Sequence, residues 1–136
     1  MVEKKKDANK AKVAREISKI WGGLESDQIA TLKEHVEITK YKKGEMIYQC
    51  DETPTDAMCL LTGKVKIFKD GINGKSQIIR VIKPNEFFGF RAYFANEIYK
   101  TAAQALDTCT VVHFPLPVLM KLLQKSYKIG YYFIKY

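Results

Sequence analysis

The sequence predicts a mainly β domain, a sandwich or barrel, with helices at both ends. Three observations carry this reading. Lys64-Val65-Lys66-Ile67-Phe68-Lys69 alternates polar and apolar residues, the pattern of a strand with one face on a core. Between residues 37 and 114 roughly six to eight short apolar segments follow one another at the turn spacing of a sandwich or barrel. No helical periodicity lies between them, which excludes a parallel dinucleotide-binding sheet. Apolar residues at three- and four-residue spacing mark longer helices before and after this region.

The elements follow in order. Val13, Ile17 and Ile20-Trp21 place an amphipathic helix over residues 9–21, and Gly22-Gly23 ends it. Ser26 or Asp27 caps a second short helix with Ile29, Leu32 and Val36 on its inner face. Strands are expected at Glu37 to Tyr41, Met46 to Tyr48, Lys64 to Lys69, Gln77 to Ile82, Ala103 to Leu106 and Thr108 to Phe114, with Leu60 to Val65 joining two of the series. Asp70 to Lys75 is a hairpin tip in which Asn73-Gly74 can take positive φ. Pro117 suits the first turn of a helix that runs to Lys125. Ser126 can cap another, in which Ile129, Tyr132, Phe133 and Tyr136 recur at helical spacing.

With 136 residues, 46% hydrophobic and 28% charged, the chain has the size and composition of one globular domain. Its net charge is +8, a balance that would suit a polyanionic partner. Residues 1–15 hold six Lys or Arg against two acids, so +4 of that excess sits in the leading segment. We read that segment as a solvated helix extension in preference to a nucleic-acid arm. No secretory signal or membrane-spanning run is evident, and the expected location is cytoplasmic, with no membrane partner.

The most informative stretch is Asn85 to Phe94, where aromatic residues crowd around Gly89, followed by Lys100-Thr101-Ala102. Glycine at such a place marks a turn that takes φ > 0 or a close approach. One helical turn beginning at Phe90 would direct backbone N–H groups toward an anion, with Lys100 and Thr101 facing the same ligand. The plainer reading of the aromatics is core packing.

The order of these residues resembles the phosphate-binding cassette of the cyclic-AMP receptor protein and fumarate-nitrate regulator family. Phe88-Gly89, Ala92, Phe94 and Thr101-Ala102 fit its Phe-Gly-Glu-hydrophobic-Ala-hydrophobic-Phe then Arg-Ser/Thr-Ala pattern, and Lys43-Gly44-Glu45 and Leu61-Thr62-Gly63-Lys64-Val65 also stand in family order. The resemblance spans about residues 20–136. It implies a double-stranded β-helix, the jelly roll also seen in cupins, preceded by short helices and followed by helices that lead into a dimerisation helix. It also implies an effector site at Gly89, Phe90, Arg91, Ala92, Lys100 and Thr101, and a homodimer interface at Ile129, Tyr132, Phe133 and Tyr136.

Two departures from the pattern matter. The family's glutamate, which holds the ribose hydroxyl in members that bind cyclic AMP, falls on Phe90, and its phosphate-clamping arginine falls on Lys100. Phenylalanine offers no acceptor, and lysine lacks the bidentate fork. Weak or absent cyclic AMP binding is therefore expected. Arg91 occupies a usually apolar position, where it either supplies a replacement charge for a different anion or faces solvent.

Other chemistry is poorly supported. His35 and His113 are widely separated, with no nearby carboxylate pattern for a metal. Cys50, Cys59 and Cys109 match neither a disulfide framework nor an iron–sulfur cluster, and no metal or other cofactor is expected beyond a small anionic or nucleotide effector. Glu86 lacks a catalytic partner motif, and the chain does not read as an enzyme. The expected organisation is a basic tail and helix (1–21), a jelly-roll sensing domain (22–115) and C-terminal helices (116–136). In that reading the chain is the effector domain of a longer bacterial-type regulator, whose helix-turn-helix domain binds DNA. Two alternatives stand beside it: a cyclic-nucleotide module of a channel, kinase or transporter, and a ligand-free dimerisation scaffold.

Overall fold

A computed structural model describes the backbone of residues 2–135 and the side chains of residues 9–133. The chain divides into two compact units. One comprises residues 38–113 and the other joins residues 1–37 to residues 114–136.

The helical unit begins with α1 (Val2–Ile20). It starts well before residue 9 because nothing between Val2 and Ile20 breaks a helix, and its Lys, Ala and Glu residues favour one. Gly22 and Gly23, both at positive φ, stop it, and Gly23 N–H returns to the Ser18 carbonyl at 2.7 Å. In α2 (Ser26–His35) the N-cap is Glu25, one residue earlier than the serine or aspartate expected. The shift follows from Gln28, whose Oε1 accepts the Glu25 N–H at 3.1 Å in a capping box.

Pro115 precedes α4 (Leu116–Lys125), which places Pro117 in the first turn, and Ser126 separates it from α5 (Tyr127–Lys135). Trp21 packs edge-on against Phe114 and at a tilt against Phe133, each with ring centroids 5.8 Å apart. Lys128 Nζ donates to the Gly22 and Gly23 carbonyls at 3.2 and 3.4 Å, tying α5 to the glycine turn.

The other unit is built from strands: β1 (Glu37–Tyr41), β2 (Met46–Tyr48), β3 (Asp56–Thr62), β4 (Val65–Asp70), β5 (Ser76–Ile82), β6 (Phe87–Phe88), β7 (Ala102–Ala105) and β8 (Cys109–Pro115). They form two four-stranded sheets, in the orders β1-β8-β3-β6 and β2-β7-β4-β5. This is the jelly-roll architecture expected. Leu60, Met58, Phe88, Val111 and Cys109 of the first sheet share one core with Tyr48, Val65, Ile67, Ile82 and Ala103 of the second. The alternation read in β4 is the cause, since Val65 and Ile67 are buried while Lys66 and Phe68 are less so.

The β4–β5 hairpin differs in detail from its expectation. Gly74 alone takes positive φ (73°), with Gly74 N–H bonded to the Gly71 carbonyl and Gly71 N–H to the Lys75 carbonyl. The tip is a three-residue loop with a glycine bulge, and Asn73 needs no left-handed conformation. A second irregularity lies between Ile67 and Phe68, where β5 carries one extra residue opposite β4.

Candidate functional site

The region after β6 is shaped by Gly89. Its φ of 81° is left-handed, and a Cβ there would enter the space of the buried Met58 side chain. The chain then turns through Phe90 into α3 (Arg91–Phe94). Asn96 ends that turn in the left-handed conformation (φ 58°), with Asn96 N–H on the Tyr93 carbonyl and Glu97 N–H on the Ala92 carbonyl, a Schellman closure. This closure directs Glu97 to Thr101 back along the turn. Tyr99 is anchored by backbone bonds in both directions with residues 51 and 52, at 2.8 and 3.0 Å.

The result is a cavity of about 330 Å³. All six ligand-binding residues read from the sequence, Gly89, Phe90, Arg91, Ala92, Lys100 and Thr101, line it. Phe90 is buried, with 5% of its surface exposed. Arg91 is exposed, and Lys100 is ion-paired with Glu97 at 3.1 Å. Thr101 Oγ1 lies 3.5 Å from the Tyr48 hydroxyl.

Several lining residues lay outside the sequence reading. Tyr48 and Tyr99 stack with centroids 3.9 Å apart, and the Tyr99 hydroxyl donates to the Gly89 carbonyl at 2.6 Å. That bond fixes the turn at Gly89, beside the Met58 side chain. Burial pushes both phenols above their ordinary pKa, Tyr99 more strongly, with the neighbouring Tyr48 adding to it. Arg80 reaches the lining from β5 and is paired with Glu86 at 2.8 Å. Glu86 also accepts the Lys83 N–H at 2.8 Å, so it serves as a turn residue. Ile67, Ile79, Ile82 and Ile98 complete the apolar wall.

The C-terminal stripe is arranged differently. Ile129 is fully buried within the chain, and Phe133 lies against Trp21. Tyr132 is half-buried and Tyr136 lies outside the described residues. Among the described residues of α5 the exposed aromatics are instead Tyr127 and Tyr131, at 82% and 68%. The helical period was legible, but its buried side faces its own chain.

The two histidines have local partners: His35 Nδ1 with the Thr31 carbonyl at 2.9 Å, and His113 Nε2 with the Tyr41 hydroxyl at 2.9 Å. Among the described residues no group of three or more His, Cys, Asp or Glu side chains is placed to hold a metal. No helix among them is long and apolar enough to cross a membrane.

Residues 38–126 match the family model of the cyclic nucleotide-binding domain. An uncharacterized protein of Haemophilus influenzae is 33% identical over 75 residues, which are 54% of this chain and 58% of that protein, so the match spans little more than half of the relative. Among solved structures, the sensor domain of the transcriptional regulator DNR from Pseudomonas aeruginosa is similar with a TM-score of 0.77 and 17% identity, covering 92% of this chain and 86% of that one. The catabolite activator protein of Thermus thermophilus is similar with a TM-score of 0.73 and 15% identity, covering 85% of this chain and 55% of that one. At these identities the likeness is one of fold.

Proposed function

The chain belongs to the cyclic nucleotide-binding domain family, and from that premise we propose that it is the effector-sensing domain of a cytoplasmic transcriptional regulator, with a cavity that takes a small organic anion and holds cyclic AMP poorly. The single observation behind this is Phe90, buried in the cavity wall where cyclic-AMP-binding members carry the glutamate for the ribose hydroxyl. The one carboxylate of the lining, Glu97, is paired with Lys100. A charge-assisted hydrogen bond contributes about 1.5–3 kcal/mol, so losing one and replacing the arginine fork by a lysine lowers affinity by about two to three orders of magnitude.

In this reading residues 22–115 sense the effector and residues 116–136 transmit its presence. Occupancy of the cavity biases the helix after Ser126, and with it a helix-turn-helix domain of a longer regulator, between two arrangements. The domain acts as a homodimer. The exposed Tyr127 and Tyr131, one turn apart on α5, support self-association on the side that Ile129 does not face. Sedimentation at micromolar concentration is expected to show a dimer, and a purely monomeric boundary contradicts that part.

Calorimetric titration with cyclic AMP and cyclic GMP tests the central reading. Dissociation constants weaker than about 100 µM are expected. A value in the low micromolar range or tighter overturns it.

A further inference from the structure

Much of the chain's charge is gathered on the β4–β5 hairpin. Residues 64–83 carry six Lys or Arg against the single acid Asp70, a net +5 within a chain of net +8. Arg80 is paired with Glu86, and Lys66 lies over the Phe68 ring at 4.7 Å. Lys64, Lys69, Lys75 and Lys83 are exposed, and none of them is ion-paired among the described residues. The same hairpin exposes hydrocarbon: Ile72 at the tip is fully exposed, Ile78 and Ile79 are each 54% exposed, and Val81 is exposed as well. The register explains this. Val81 stands opposite Lys66 and Ile78 opposite Phe68, on the face that alternates with the buried Val65 and Ile67, and Ile79 is the extra residue of the bulge. β5 also ends the order β2-β7-β4-β5, with β4 on one side and no strand on the other among the described residues. The peptide groups on its outer side are therefore open to another strand.

We propose that this edge docks an extended segment of a partner protein, apolar at alternate positions and acidic at both ends. The segment adds a fifth strand beside β5. Its backbone pairs with the outer N–H and C=O groups, its apolar side chains cover Ile78 and Val81, and its acids meet Lys75 and Lys83, which bracket the strand. The seven residues of β5 span about 20 Å, the length of a seven- or eight-residue segment. Other occupants use only part of this surface. A second copy paired antiparallel about Ile79 sets Lys75 against Lys83 and brings two hairpins of like charge together. Nucleic acid meets the lysines and leaves the isoleucines unused. A bilayer reached by Ile72 alone leaves β5 uncovered, and one that took in the whole strand would bury its unpaired peptide groups in hydrocarbon.

The test is fluorescence anisotropy of labelled peptides with the whole chain at about 50 mM salt. Acetyl-Glu-Glu-Val-Thr-Val-Thr-Glu-Glu-amide should bind with a dissociation constant of about 10–100 µM. It should bind about tenfold or more tighter than peptides with lysine for glutamate, serine for valine, or proline for threonine, the last lacking the pairing N–H. Replacing Lys75 and Lys83 together by alanine should weaken it about fivefold and flatten its salt dependence. Ile78→Ser with Val81→Ser should weaken it about tenfold. Circular dichroism checks the fold of both variants, and amide NMR of the unsubstituted chain provides the test if either fails: shifts should run along Ser76 to Ile82 and spare α4. Equal binding of the proline peptide overturns strand addition, and shifts centred away from β5 overturn the site. Absence of peptide binding overturns the proposal outright. So does tighter binding of oligothymidine or of phosphatidylserine vesicles, or self-association that Ile78→Ser abolishes, each of which gives the edge to a different partner. The cavity reading stands or falls separately, on the cyclic-nucleotide titration.

Discussion

The floor and the mouth of one cavity obey different rules. The floor is assembled from Tyr48 on β2, Ile67 on β4, Ile82 on β5 and Phe88 on β6, strands far apart in sequence, and every one of these residues belongs to the core. The mouth is made by the charged side chains of Arg91, Glu97 and Lys100, all three exposed. Floor residues therefore serve stability and shape together, while mouth residues can change the ligand with little effect on the fold. A barrel of this kind can change what it recognises at its rim, but a change such as a phenylalanine at position 90 is built into the core.

Substitutions sharpen or break that contrast. Phe90→Ala should have the largest effect, destabilising the chain by about 3 kcal/mol through lost burial and an enlarged cavity, measured by urea unfolding. Gly89→Ala should cost about 1–3 kcal/mol from the left-handed backbone, with Met58 forced to move as well. Tyr99→Phe should cost about 1 kcal/mol by leaving the Gly89 carbonyl without its donor. Lys100→Ala should fall within about 0.5 kcal/mol of the parent, because its ion pair is exposed. If Lys100→Ala destabilised as much as Phe90→Ala, the division between floor and mouth would be wrong.

The tyrosines add a pH signature on the floor side only. Their phenols are raised by burial, so the folded chain keeps a proton that the unfolded chain releases above pH of about 10. Their contribution is complete below that value and is lost as pH rises beyond it. Alkaline unfolding monitored by circular dichroism should therefore be shallower in Tyr99→Phe than in the parent. An identical profile would show that Tyr99 is not held neutral by its surroundings.

Where the information was local, the sequence could be read. Strand alternation in β4, the glycine turns and the order Phe88-Gly89 through Thr101 placed the jelly roll and gathered six residues that line one cavity. The floor was harder, because Tyr48 and Ile67 enter through strand pairing that no short window reports. Tyr99 could have been noticed as an aromatic beside Lys100, but its bond to Gly89 depends on the Schellman closure at Asn96. In α5 the period identified an apolar face, yet period alone does not say what covers it. Ile129 and Phe133 are covered by their own chain and Tyr127 and Tyr131 are not.

The most direct measurement is a two-dimensional amide NMR titration of the whole chain with cyclic AMP up to about 1 mM. The account predicts shifts concentrated at Gly89 to Ala92 and at Lys100 and Thr101, reaching the Tyr48 amide and sparing the Asn73-Gly74 hairpin tip. Shifts centred elsewhere, or saturation at low micromolar cyclic AMP, would contradict it.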